Sequence, residues 1–141
     1  MDKLNKQQQL AVDTVNGPIL ILAGAGSGKT KVLTHKIAYL LEKKLAQPEN
    51  ILAVTFTNKA AGEMKSRVYK LLNPHSGGIL DTKSYQARIF MPWMGTFHSI
   101  CLRILKANAL VMGLNPNFVI YDSNDQVDAV KEVLKKMNLN D

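Results

Sequence analysis

Cysteine is almost missing from this 141-residue chain, with Cys101 the only one. No disulfide framework and no cysteine-rich metal site can therefore form within one copy, and the usage fits a reducing, cytoplasmic setting. Long apolar runs are missing too: none approaches the roughly 18–20 residues that a membrane-crossing helix needs. The first residues lead into a glutamine-rich stretch rather than a signal-peptide core. A soluble, unexported protein without membrane contact is the expectation. Acidic residues are few, 11 Asp and Glu against 18 Lys and Arg, which leaves a formal net charge of +7. Such a surface favours polyanions as partners, nucleic acid or nucleotide before a basic protein. Because the basic residues are spread along the chain, solvated helix faces account for them equally well. No internal repeat or low-complexity tract is present, and the length allows one core but not two full domains.

The apolar pattern is that of an α/β protein. Residues 4–15 read as a short amphipathic helix with Asn5 as a possible N-cap, ended by Gly17-Pro18. Residues 19–23 (Ile-Leu-Ile-Leu-Ala) form a continuous apolar run, the pattern of a strand buried on both faces of a parallel sheet. Leu33, Ile37, Leu40 and Leu41 repeat at helical spacing to about Leu45. Residues 51–54 give a second buried strand, followed by a helix marked by Ala60, Ala61, Met64, Val68, Leu71 and Leu72. Strand-helix-strand-helix order implies parallel pairing.

The polar stretch 73–88 reads as an exposed loop, and residues 89–94 as a third strand that Pro92 confines to an edge or a strand end. Beyond Gly95 the pattern is helical, with Cys101, Ile104, Leu105 and Met112 on one face. Val127, Val130, Leu134 and Met137 then mark a second helix that opens at a Ser123/Gln126 capping box.

Between the first strand and the first long helix lies Ala23-Gly24-Ala25-Gly26-Ser27-Gly28-Lys29-Thr30, a phosphate-loop pattern with alanine in place of the usual first glycine. Small residues let successive backbone N–H groups converge on phosphate oxygens, and the helix N-terminus adds roughly half a positive charge. Lys29 would reach the β- and γ-phosphates and the Thr30 hydroxyl would ligate Mg²⁺. Hydrolysis would also need an acidic residue near the metal. The run from Phe118 to Asp122 has the form of a metal-holding strand end, but Asp122 also directly precedes the Ser123 box, and a helix-start role explains it without catalysis.

Four segments in order resemble UvrD/PcrA/Rep-type superfamily 1 DNA helicases over most of the chain. Leu4-Asn5-Lys6-Gln7-Gln8-Gln9-Leu10-Ala11-Val12 is similar to the family's Q motif and makes Gln8 the candidate adenine contact, since a carboxamide donates and accepts at once. The loop AGAGSGKT is the family's own spelling, with Lys31 following where many members carry arginine. The segments Thr55-Phe56-Thr57-Asn58-Lys59-Ala60-Ala61-Gly62-Glu63-Met64 and Gly95-Thr96-Phe97-His98 look like its single-stranded-DNA-contacting motifs. Taken singly these residues have plainer readings. Gln8 fits an exposed helix face, Phe56 and Phe97 fit a core, Thr57, Asn58 and Thr96 fit N-caps, and His98 fits either a phosphate donor or a cap neighbour.

The resemblance implies an incomplete RecA-like phosphate-loop domain with a parallel sheet over residues 1–95, then the start of a helical insertion over 96–141. It implies the ATP-binding part of a helicase that translocates 3′ to 5′ on single-stranded DNA at duplex junctions, in repair or replication. ATP and Mg²⁺ would be the cofactors, and a second motor domain of the full-length parent the partner. The family's acidic metal motif has no matching string before Asp141, so the chain reads as a piece that is inactive alone. Two other readings stay open: a small self-contained phosphate-loop nucleotide kinase with Asp122 on the metal, and a non-catalytic module whose loop binds the nucleic-acid backbone.

Overall fold

The computed structural model describes residues 3–74, 80–81 and 85–139. The chain divides into two compact units, Met1–Leu102 and Arg103–Asp141. In the first, helix α1 (Lys6–Asp13) is opened by Asn5, whose side chain accepts from the Gln8 amide while the Gln8 side chain accepts from the Asn5 amide. This reciprocal cap satisfies two otherwise orphaned donors. Helix α2 (Lys29–Glu42) begins directly at the glycine-rich loop, and Lys44 stands just past it at a φ of 55°.

A 3₁₀ turn at Pro48–Asn50 leads to strand β1 (Ala53–Thr55). Helix α3 (Asn58–Leu72) follows with Thr57 as its N-cap, then helix α4 (Tyr85–Phe90), strand β2 (Met94–Thr96) and helix α5 (Phe97–Ala107). The strands pair in parallel, Ala53 opposite Met94, Val54 opposite Gly95 and Thr55 opposite Thr96.

The core lies where α2 and α3 meet this ladder. Ile37, Ala53, Met64, Val68, Met91 and Met94 are buried together, and Tyr69 meets Phe90 edge-to-face at 5.4 Å between ring centres. Each of the larger side chains contributes about 1.5–3 kcal/mol by leaving water. Lys65 is buried as well, and its ammonium donates to the Ala87 carbonyl at 3.1 Å, which ties α3 to α4.

Several expectations need correction. Residues 19–23 are neither laddered nor buried: exposure runs 39%, 82%, 41% and 85% from Ile19 to Leu22. The period-two alternation is that of an extended segment, but a strand is defined by backbone pairing, and no described residue supplies it. Residues 89–94 do not form a strand; α4 takes the first of them and the ladder starts only at Met94. Pro92 stands in the turn before β2, where its missing donor costs no ladder bond. The expected loop 73–88 is also shorter, since α4 begins at Tyr85 and Ala87 is fully buried; its residues 75–79 and 82–84 lie outside the described ones.

In the second unit, helix α6 (Ser123–Lys136) is capped by Asp122, with Asp125 as the reciprocal partner, so the capping box lies one residue earlier than the Ser123/Gln126 reading. A carboxylate accepting two backbone donors is a stronger cap than a hydroxyl. Met112 falls beyond the end of α5, in a run of turns, and shares no helix face with Cys101.

Candidate functional site

The glycine-rich segment folds as a turn closed on itself. The Ser27 amide and hydroxyl both approach the Gly24 carbonyl, at 3.4 and 2.7 Å. Gly26 and Gly28 take φ of 74° and 87°, a left-handed backbone that costs other residues about 1–2 kcal/mol. Gly28 is also the N-cap of α2 and offers no side-chain cap. The first N–H groups of α2 are left for another acceptor.

The Lys29 ammonium donates to the carbonyls of Ala23 and Gly24, 2.7 Å from each. Thr30 stands one residue further on, with an exposed side chain. Ala25 is exposed at the head of the turn, and Lys31 extends from α2 to the Lys3 carbonyl at 3.1 Å.

Gln8 is brought to this loop. Its amide nitrogen donates to the Ser27 carbonyl at 3.1 Å, and a Cβ on Gly28 would stand 2.9 Å from that nitrogen. A cleft of about 200 Å³ lies between α1 and the loop, lined by Gln7, Gln8, Ala11, Ala23, Ser27 and Lys29 among others. That is below the roughly 300–1,000 Å³ usual for a drug-sized ligand. Among the described residues no group of three or more His, Cys, Asp or Glu is placed to hold a metal ion. Mg²⁺ commonly keeps several waters and is bound through one or two carboxylates beside substrate phosphates, so the exposed Thr30 hydroxyl could supply only one part of such a site.

The second group of residues sits at the carboxyl ends of the paired strands. Thr55 and Thr96 are register partners, and the chain turns into a helix just after each. Phe56 is 96% exposed and Phe97 58% exposed, so neither ring belongs to the core. The Thr57 hydroxyl accepts from the Ala60 amide and the Thr96 hydroxyl from the Ser99 amide, so both serve as helix caps. Asn58 and Lys59 open α3 with exposed side chains, and His98 meets Phe97 edge-to-face.

Gly95, in the fourth matched segment, carries no side chain that a sequence pattern would mark as functional. A Cβ there would come within 2.8 Å of the Ser99 hydroxyl and 3.3 Å of Ile100, so its bare backbone lets β2 approach α5. Lys36 was visible only as one basic residue among many.

A glycine-rich phosphate-loop turn beside a parallel α/β ladder defines the phosphate-loop class of protein, and the chain belongs to the UvrD/REP helicase N-terminal domain family, which matches residues 4–141. It is 50% identical over 139 residues to the ATP-dependent DNA helicase PcrA of Staphylococcus aureus (strain Mu50 / ATCC 700699), an overlap of 99% of this chain and 17% of that protein. It is also 51% identical over 136 residues to the ATP-dependent DNA helicase PcrA of Bacillus subtilis (strain 168), covering 96% of this chain and again 17% of the relative. The chain thus spans about a sixth of the length of these relatives. Among the described residues no helix is long and apolar enough to cross a membrane.

Proposed function

We propose that this chain is the ATP-binding and part of the DNA-gripping surface of an ATP-dependent DNA helicase. The observation that carries the nucleotide reading is the loop itself: two left-handed glycines, an uncapped helix N-terminus and the Lys29 ammonium within one turn of chain. Residues Ala23 to Thr30 would hold the triphosphate by backbone N–H groups and by Lys29. Thr30 would contribute its hydroxyl to Mg²⁺, which neutralises phosphate charge when bound. The cleft between Gln8 and the loop supports Gln8 as the adenine contact, with Lys31 following the loop.

The DNA reading draws support from the pairing of Thr55 with Thr96. Ligands of parallel α/β sheets gather at the carboxyl ends of the strands, and here that end presents two exposed rings and two helix N-termini together. Phe56 and Phe97 would pack on bases or sugars. Thr55, Thr57, Asn58, Lys59 and His98 would meet the backbone of single-stranded DNA, while Thr96, 8% exposed and the cap of α5, would act from beneath by holding the helix start that carries Phe97 and His98.

In the whole protein, ATP would draw a second motor domain onto this one, and closure and release would shift the grip of the two on DNA, in the 3′ to 5′ direction. Unwinding at duplex junctions, in cytoplasmic repair or replication, is the role this reading assigns. Asp122 caps a helix, which disfavours a self-contained kinase with that residue on the metal.

The test is equilibrium binding of Mg-ATP and of a single-stranded oligonucleotide, each alone and in the presence of the other. Independent sites, with DNA affinity falling steeply as salt rises, are expected. Mutual exclusion that depends on Lys29 would instead favour a module whose loop binds the nucleic-acid backbone.

A further inference from the structure

Helix α1 buries a single side chain, Val12, so polar contacts decide how it is held. Two of these come from α2. Lys31 reaches the Lys3 carbonyl ahead of α1, and the Lys36 ammonium donates to the Ala11 carbonyl at 3.0 Å and to the carbonyl of Thr14, the C-cap of α1. Helix α1 has no basic residue in its own last turn. Lys36 supplies the cation that a helix C-terminus favours, and satisfies carbonyls that the helix leaves over.

Lys36 stands two turns beyond Lys29 on the same rigid helix. The element that carries Gln8 is therefore strapped, near both of its ends, to the element that opens at the phosphate loop.

We infer that Lys36 is a positioning residue for base recognition: by holding the C-terminal end of α1 on α2, it sets where the Gln8 carboxamide stands relative to phosphates on the loop. The inference rests on the ATP reading and deepens it. The loop keeps its own bonds, Ser27 to Gly24 and Lys29 to Ala23 and Gly24, whatever stands at position 36. Loss of Lys36 should thus spare the grip on phosphates and blunt the choice of base.

The experiment measures calorimetric affinities of the chain for ATP, GTP and inorganic tripolyphosphate, with circular dichroism as the check on folding. In Lys36→Met the preference for ATP over GTP should fall about tenfold, the scale of one lost charge-assisted hydrogen bond, while tripolyphosphate affinity is unchanged. Lys36→Arg should restore the preference, and Lys36→Gln, which keeps one donor, should fall between. If Lys36→Met does not fold, Lys36→Gln decides by the same two readouts.

An unchanged ATP-to-GTP ratio in a folded variant, or an equal loss for all three ligands, overturns the inference. Tripolyphosphate binding without base preference in the unsubstituted chain overturns it while leaving the phosphate site standing. If the unsubstituted chain binds neither ATP nor tripolyphosphate, the nucleotide reading fails first and takes the inference with it.

Discussion

Thr55 and Thr96 lie side by side as the last register pair of a parallel ladder, although 41 positions separate them in sequence. Each is followed by an exposed phenylalanine and then by the body of a helix. Two motifs far apart in the sequence are thereby brought to the same end of one ladder.

Phe56 tests that surface most directly. Because Phe56 is 96% exposed, Phe56→Ala should leave the thermal midpoint almost unchanged, within the roughly 0.5 kcal/mol of ordinary surface substitutions. Single-stranded DNA affinity should drop by about 1–3 kcal/mol, the worth of one base–aromatic stack. Fluorescence anisotropy with a labelled oligonucleotide reads the second effect, and unaltered affinity would remove the ring from the interface.

The two left-handed glycines should behave differently. Gly26→Ala meets nothing within 4 Å and costs only backbone strain, about 1–2 kcal/mol, whereas Gly28→Ala adds a 2.9 Å approach to Gln8. Nucleotide affinity should therefore fall further for Gly28→Ala. Equal losses in a titration with a fluorescent ATP analogue would mean that the Gln8 contact contributes nothing.

Lys29→Ala should weaken ATP binding by about 1.5–3 kcal/mol, the range for a charge-assisted hydrogen bond, and leave oligonucleotide affinity intact. Parallel loss of both ligands would contradict the assignment of separate sites.

Asp122→Ala removes an N-cap that accepts from the Asn124 and Asp125 amides, so it should destabilise α6 by about 1 kcal/mol without changing nucleotide binding. A loss of Mg-ATP affinity on this substitution would return Asp122 to the metal.

Where a local rule decides the structure, the sequence was legible. Asn5 and Thr57 cap the helices they precede, and the apolar spacing around Ile37 and Met64 points those side chains into the core. The loop was readable because glycines, lysine and hydroxyl follow one another without interruption.

Long-range pairing was harder to read. The run at 19–23 has the composition of a buried strand, yet composition cannot say which segment will bond to it, and none of the described ones does. Residues 85–88 read as the end of a polar loop and 89–94 as a strand, yet α4 spans that boundary, with Ala87 buried and Phe90 packed on the core. Lys36 was hidden for a related reason, since its partners are main-chain carbonyls, which no side-chain pattern announces.

The carbonyls that grasp the Lys29 ammonium are those of Ala23, the last residue of that unladdered run, and Gly24, just past it. Any phosphate that recruits the lysine therefore competes with these oxygens, and a measured affinity is a difference between two sets of partners. Stiffening or loosening residues 19–22, of which Ile21 and Leu22 also line the cleft beside Gln8, would then tune nucleotide affinity by shifting the competitor.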